Sequence, residues 1–244
     1  MPRTTRATPP AFPATDPAMD RFRRLVLLAI LTGAIAGLAL FVVQQILIVP
    51  LIELAETFED AAPHAAPHAD HGDEGWQPAP GLQRIGLTAV STMLSGIAFA
   101  AMLLGAIALR GRALTLGSGA LWGLAAFACF ALAPALGLPP QPPGAAVADL
   151  YPRQLWWLGT VLATAAGLWL LTERALPWAV RALGLALPVL PHLIGAPTTA
   201  EVGVTPPDLI RAFGIASIAA SLFFWLLLGV LCGRFAGRRE GGVV

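Results

Sequence analysis

Lysine is absent from this sequence: all 15 basic residues are arginine, and they face only 14 acids. Charge of either sign is scarce. Charged residues make up 12% of the chain, where a soluble domain carries roughly 25%. So little charge cannot coat a globule of 244 residues in water. The net charge of +1 supplies no electrostatic footprint for nucleic acid, and no nucleic-acid partner is expected. Cysteine is nearly absent too. Cys129 and Cys232 both lie inside apolar runs and form no CxxC pair, which excludes a thiol metal or redox centre. The chain has no phosphate-binding P-loop, no Gly-rich dinucleotide fingerprint, no HExxH and no nucleophile elbow. These absences leave no expected catalytic residues, no tightly bound cofactor and no expected enzyme activity. An ATP-driven motor would have to be another protein.

Apolar sequence fills the space: 57% of the chain is hydrophobic, with a mean hydropathy of +0.73. Residues 1–20, with five prolines, are expected to be a disordered cytoplasmic N-terminus. The first apolar run, Leu25–Val49, is uncharged and too long for a signal-peptide core, so it reads as an uncleaved span. Further runs cover about Ile85–Leu109, Leu114–Leu136, Leu155–Leu171, Trp178–Ile194 and Leu209–Cys232. The fifth is the weakest, because it holds Arg181, Pro188, Pro191 and His192. The fold class is therefore an all-α integral membrane protein with about six transmembrane helices, five being the alternative. The transmembrane domain covers 21–233, with an external loop over 51–83 and a cytoplasmic tail over 234–244.

Arginine sets the expected orientation. Six spans with both termini inside put Arg3, Arg6, Arg21, Arg23 and Arg24 in the cytoplasm. Arg110, Arg112, Arg174, Arg234, Arg238 and Arg239 join them, with Arg181 nearby. Only Arg84, Arg153 and Arg211 fall outside, each at a helix start. Ten of the fourteen acids lie in the external loops. The pairs Gly33–Gly37, Gly119–Gly123 and Gly229–Gly233 have the four-residue spacing that lets helices approach closely. The Trp156–Trp157 pair reads as an interfacial aromatic belt.

Three of the four histidines, His64, His68 and His71, stand in the first external loop. With Asp70, Asp73 and Glu74 nearby, His68–Glu74 offers five possible ligands in seven residues. Imidazole with carboxylate suits Co, Ni or Zn, and the acidic charge concentrates cations at the membrane surface. The bland alternative is a solvated acidic loop with incidental histidines. Glu53 and Glu56 share a helix face if the helix continues past Pro50. His192 sits among prolines that free backbone carbonyls, and ionisable groups in broken helices often handle ions. Its bland alternative is a histidine capping a helix end. Gln44 and Gln45 offer either a polar path or an interhelical hydrogen bond.

Several ordered motifs carry a family resemblance. Arg23-Arg-Leu, Gln44-Gln and Val49-Pro-Leu-Ile-Glu-Leu-Ala-Glu56, followed by the His-bearing loop, resemble the opening of CbtA-type predicted cobalt transporter subunits. The segment Asp73-Glu-Gly-Trp-Gln-Pro-Ala-Pro-Gly-Leu-Gln-Arg84 continues the likeness. So do Ala133–Pro140, Arg153–Thr160 and Leu190–Pro197, so that it spans roughly Arg21–Gly233. The sequence departs from the family in its sparser loop histidines and in Gln141, where a glutamate is expected. The resemblance implies a multi-pass protein of the bacterial inner membrane that supplies cobalt for cobalamin. It also implies a small one-span, His-rich CbtB-type partner. Together these readings describe a subunit of a divalent-metal uptake system. Its loop ligands capture Co²⁺, with Ni²⁺ or Zn²⁺ as alternative cargo, and Glu53, Glu56 and His192 receive it at the helix bundle. The rival reading is a non-transporting subunit that presents metal to a separate permease. A membrane-embedded enzyme is a third and weaker alternative.

Overall fold

The computed structural model describes residues 16–61, 78–79, 81–111 and 113–237. These residues form helices and no strand. In chain order the helices are α1 (Pro17–Leu47), α2 (Val49–Ala61), α3 (Leu82–Arg110), α4 (Leu116–Ala135), α5 (Leu150–Thr172), α6 (Trp178–Ile194) and α7 (Pro207–Gly237). Among them α1, α3, α4, α5 and α7 are long and apolar enough to cross a membrane, and α6 is a shorter apolar helix.

Helix limits follow local chemistry. Asp16 accepts the Ala18 amide at the start of α1, and Pro17 needs no amide partner there. The helix therefore begins inside the stretch expected to be disordered. Pro50 lacks an N–H, which breaks the ladder at Ile48 and separates α1 from α2. The expected external loop thus opens with the helix Val49–Ala61. At the other boundary α7 runs to Gly237, past the expected start of the tail. Thr115 and Ser118 form a reciprocal capping box that starts α4.

Glycine-mediated contacts build the bundle. A Cβ at Gly33 would collide with the backbone of Gly96 and Ile97, so α1 and α3 meet backbone to backbone. Gly119 and Gly123 of α4 meet Gly229 and Trp225 of α7 in the same way. Gly167 of α5 and Gly184 of α6 form a third crossing, where a Cβ on either would lie 2.6 Å from the other's carbonyl oxygen. Small residues let dispersion act over a long seam where no hydrophobic drive exists between helices in lipid. Leu103, Leu104, Phe127, Phe224, Trp225 and Leu228 are buried in the core between these seams.

Contacts at the helix ends fix the direction of each pass. Arg24 near the start of α1 donates to the Ala236 carbonyl near the end of α7. Arg110 at the end of α3 donates to Thr172 and lies 3.9 Å from Glu173, at the end of α5. Arg181 early in α6 donates twice to the Leu171 carbonyl. These helix ends lie together. Far along α6, Trp156 at the start of α5 donates to the Pro191 carbonyl at 3.1 Å. The helix therefore runs antiparallel to α5 and carries the chain to the opposite end, about 25 Å away at 1.5 Å per residue. The short α6 thus runs back along α5, from beside Leu171 to beside Trp156.

Candidate functional site

Among the described residues, Arg21, Arg23, Arg24, Arg110, Arg174, Arg181 and Arg234 belong to the end where α1 starts. Arg24 and Arg181 donate to carbonyls at the C-terminal ends of α7 and α5, where a cation meets the negative pole of the helix dipole. Arg84, Arg153 and Arg211 belong to the opposite end, with Glu53 and Glu56 on α2.

His64, His68, His71, Asp70, Asp73 and Glu74 lie outside the described residues. The described expected ligands are Glu53, Glu56 and His192. Glu53 is exposed. Glu56 is paired with Arg84 at 2.8 Å, and both groups remain open to solvent. His192 is half-buried in the last turn of α6, its ring edge-on to Trp156 with centroids 5.3 Å apart. Among the described residues no three His, Cys, Asp or Glu side chains gather into a group able to hold a metal ion.

Two cavities with shared lining residues lie at the acidic end. The outer has a volume of about 570 Å³. It lies among the end of α4, the loop 137–148, the start of α5, residues 197–201 and α7. Its polar lining includes Gln141, Arg153, Gln154, Thr199 and Glu201. The inner, of about 190 Å³, is lined by residues of α1, α3, α4, α5 and α7, all five long helices. Its hydroxyls come from Thr92, Ser95 and Ser221. Phe130, Ala131, Trp157 and Ser221 line both cavities, so the two adjoin there.

The junction has a local cause. Pro134 has no N–H for the Phe130 carbonyl, and its ring would crowd that carbonyl in a regular α-helix. Helix α4 adapts with a π-turn over Ala128–Leu132, where Ala133 donates back to Ala128. Phe130 thus projects from a widened turn and stands 6.1 Å from Trp157 and 5.4 Å from Trp225, centroid to centroid. Phe99 packs edge-on against Trp225 at 5.0 Å and Phe224 at 6.0 Å. Phe224 and Trp225 belong to the buried core and also line the inner cavity, with Phe99 packed beside them.

A clasp supports the outer cavity. Thr205 donates its hydroxyl proton to the Pro143 carbonyl at 2.6 Å, and the Val204 amide donates to Gly144 at 2.8 Å. Gly144 has φ +71°, and a Cβ there would press on Thr205 and Val204, so glycine is required on both counts.

Sequence reasoning missed Thr92, Ser95, Phe130 and Ser221. Their only signal was small hydroxyls inside apolar runs and a proline four residues after an aromatic. Gln44 and Gln45 are half-buried and line neither cavity. The Trp156–Trp157 pair does more than mark an interface: Trp156 braces α6, and Trp157 lines both cavities.

The family model described as "Probable cobalt transporter subunit (CbtA)" matches residues 22–237. That range contains all seven helices except the first turn or so of α1. No curated protein and no solved structure matches the chain.

Proposed function

Because the chain belongs to the CbtA family of probable cobalt transporter subunits, we propose that it is the multi-pass subunit that admits Co²⁺ from outside the bacterial inner membrane. The observation that carries this reading is the family match over 22–237 on a bundle with five membrane-length apolar helices. The arginine-rich end faces the cytoplasm under the positive-inside rule, which turns the acidic end outward. His64, His68 and His71, with Asp70, Asp73 and Glu74, capture the ion in the outer loop. Glu53 and Glu56 extend the acidic surface to the helix ends, and His192 offers an imidazole at the same end. No resident cofactor is required, because the metal is the cargo. A small one-span, His-rich CbtB-type subunit completes the system. Histidine–carboxylate sets favour Ni²⁺ over Co²⁺ on intrinsic affinity and also accept Zn²⁺, so those ions are the natural competitors.

The test is accumulation of radioactive Co²⁺ in cells expressing the chain with its one-span partner. The expected result is uptake above the empty-vector level, with a raised apparent KM after His64, His68 and His71 are replaced together by alanine. No uptake by the wild-type pair would overturn the transport role. Deleting residues 61–75 separates the rival presenter role. A permease keeps its maximal rate and loses apparent affinity, whereas a presenter loses most of its function.

A further inference from the structure

We propose that the two adjoining cavities hold one zwitterionic phospholipid, its headgroup between Arg153 and Glu201 and one acyl tail in the inner cavity. The site lies beyond the cargo reading, and its test needs no transport.

The charges make the first argument. Arg153 and Glu201 both line the outer cavity, yet they form no ion pair with each other or with any other described residue. A cation and an anion held apart across one cavity match a ligand that carries both signs. A phosphate accepts charge-assisted hydrogen bonds from a guanidinium, and an ammonium donates to a carboxylate. The two side chains sum to zero charge, as does such a headgroup. Gln154 and Thr199 add neutral polar groups beside them.

The change of polarity with depth makes the second. Trp157 stands one turn deeper on α5 than Arg153, about 6 Å at 1.5 Å per residue. Over that distance the lining turns from charged to aromatic. Leu150 and Trp157 line the outer cavity and are also exposed, so it opens along the side of α5, where lipid lies. Ser221, at the junction, has no hydrogen-bond partner among the described residues and offers a proton to an ester carbonyl. Beyond it stand Leu40, Phe99, Phe224 and Trp225. The Thr92 hydroxyl donates to the Thr88 and Ala89 carbonyls of its own helix, so it needs no partner from a ligand. An apolar cavity of about 150 Å³ stays dry and takes up hydrocarbon. The inner cavity, of about 190 Å³, has room for the end of an acyl tail.

The place of the cavities among the helices makes the third. At the arginine-rich end α5 is tied to α3 directly, by Arg110 to Thr172. Further out, the inner cavity has Trp157 of α5 on one side and residues of α1, α3 and α7 on the others. A tail seated there supplies the dispersion contacts that the gap lacks. The lipid thus joins α5, and α6 packed on it at Gly167 and Gly184, to the rest of the bundle.

The test is native mass spectrometry of the full chain in detergent, titrated with phosphatidylethanolamine or with phosphatidylglycerol, which has the phosphate but no ammonium. The expected result is one phosphatidylethanolamine per chain, bound at least about tenfold tighter than phosphatidylglycerol, as one charged hydrogen bond implies. Glycerophosphoethanolamine, the same head without tails, should not displace it. Arg153→Ala should weaken binding of both lipids by about tenfold or more. Glu201→Gln should erase the preference between them, a change that misfolding does not produce. Arg211→Ala removes a positive charge at the same end but outside both cavities, and should leave binding unchanged. Several lipids held alike, whatever the headgroup and with or without Arg153, would mean an annular shell only and overturn the site. Displacement by the tail-less head would overturn the seat of the tail and leave a soluble zwitterion as the ligand. Co²⁺ uptake enters neither result, so the transport role stands or falls separately.

Discussion

At the residue scale, the least bulky side chains are the most constrained. Gly229 has the Gly119 carbonyl against the place a Cβ would occupy, and Gly119 has the Gly229 carbonyl against its own. Gly229→Val forces α4 and α7 apart, and overpacking of this kind costs about 1–3 kcal/mol. The expected outcome is a lower thermal midpoint in detergent, read by the loss of the monodisperse chromatographic peak. Gly105→Ala, with nothing near its added Cβ, should leave the midpoint unchanged. The Glu56–Arg84 pair poses a different question at the same scale. Its exposed geometry contributes only about 0–1 kcal/mol to stability. If Glu56 is a metal ligand, Arg84 competes with the ion for its carboxylate. Arg84→Ala should then lower the apparent KM for Co²⁺ uptake, and Glu56→Ala should raise it. Shifts in the same direction from both would mark the pair as a brace between α2 and α3.

At the scale of the element, the sequence was most informative where physics is local. Long uncharged runs announced five helices of membrane length, because lipid demands internally bonded backbone over a fixed thickness. Glycine pairs at four-residue spacing announced the α1 and α4–α7 seams, because spacing alone puts both glycines on one face. The α5–α6 seam was not legible, since Gly167 and Gly184 are single glycines whose pairing depends on the partner helix. The inner cavity was hidden for the same reason. Thr92, Ser95, Phe130 and Ser221 come from three helices, and no sequence window holds them together. The π-turn of α4 had a sequence cause in Pro134, yet its consequence appears only when Phe130 meets Trp157 across the bundle. Pro134→Ala tests that consequence. The substitution restores the missing N–H and favours a regular α-helix. Closing a π-turn rotates the N-terminal part of the helix by about 100° relative to the C-terminal part. Phe130 then leaves the junction of the two cavities. The expected outcome is a folded protein with reduced Co²⁺ uptake. Unchanged uptake would show that the turn is incidental to transport.

At the scale of the whole molecule, the number of passes and their direction depend on α6. Hydropathy alone leaves this helix short of membrane length. Its contacts decide its course: it starts beside Leu171 at the end of α5 and finishes beside Trp156 at the start of α5. A helix that merely dipped in and returned would bring Ala175 and Ala200 to the same end. One that passes through puts them at opposite ends. The arginines add the direction, because seven described arginines share the end that carries Ala175. Single cysteines at Ala62, Ala175, Ala200 and Val243 convert this into a measurement. Ala175 and Ala200 are exposed, and the native cysteines are buried, so the background is silent. An impermeant maleimide applied to intact spheroplasts should label Ala62→Cys and Ala200→Cys. It should reach Ala175→Cys and Val243→Cys only after the membrane is opened. Labelling of Ala175→Cys and Ala200→Cys from one side would reduce the passes to five. The mirror pattern for all four would turn the acidic end, the two cavities and the histidine loop towards the cytoplasm. An importer with its capture loop on the wrong side of the membrane has no access to external Co²⁺, so that single result would also remove the proposed direction of transport.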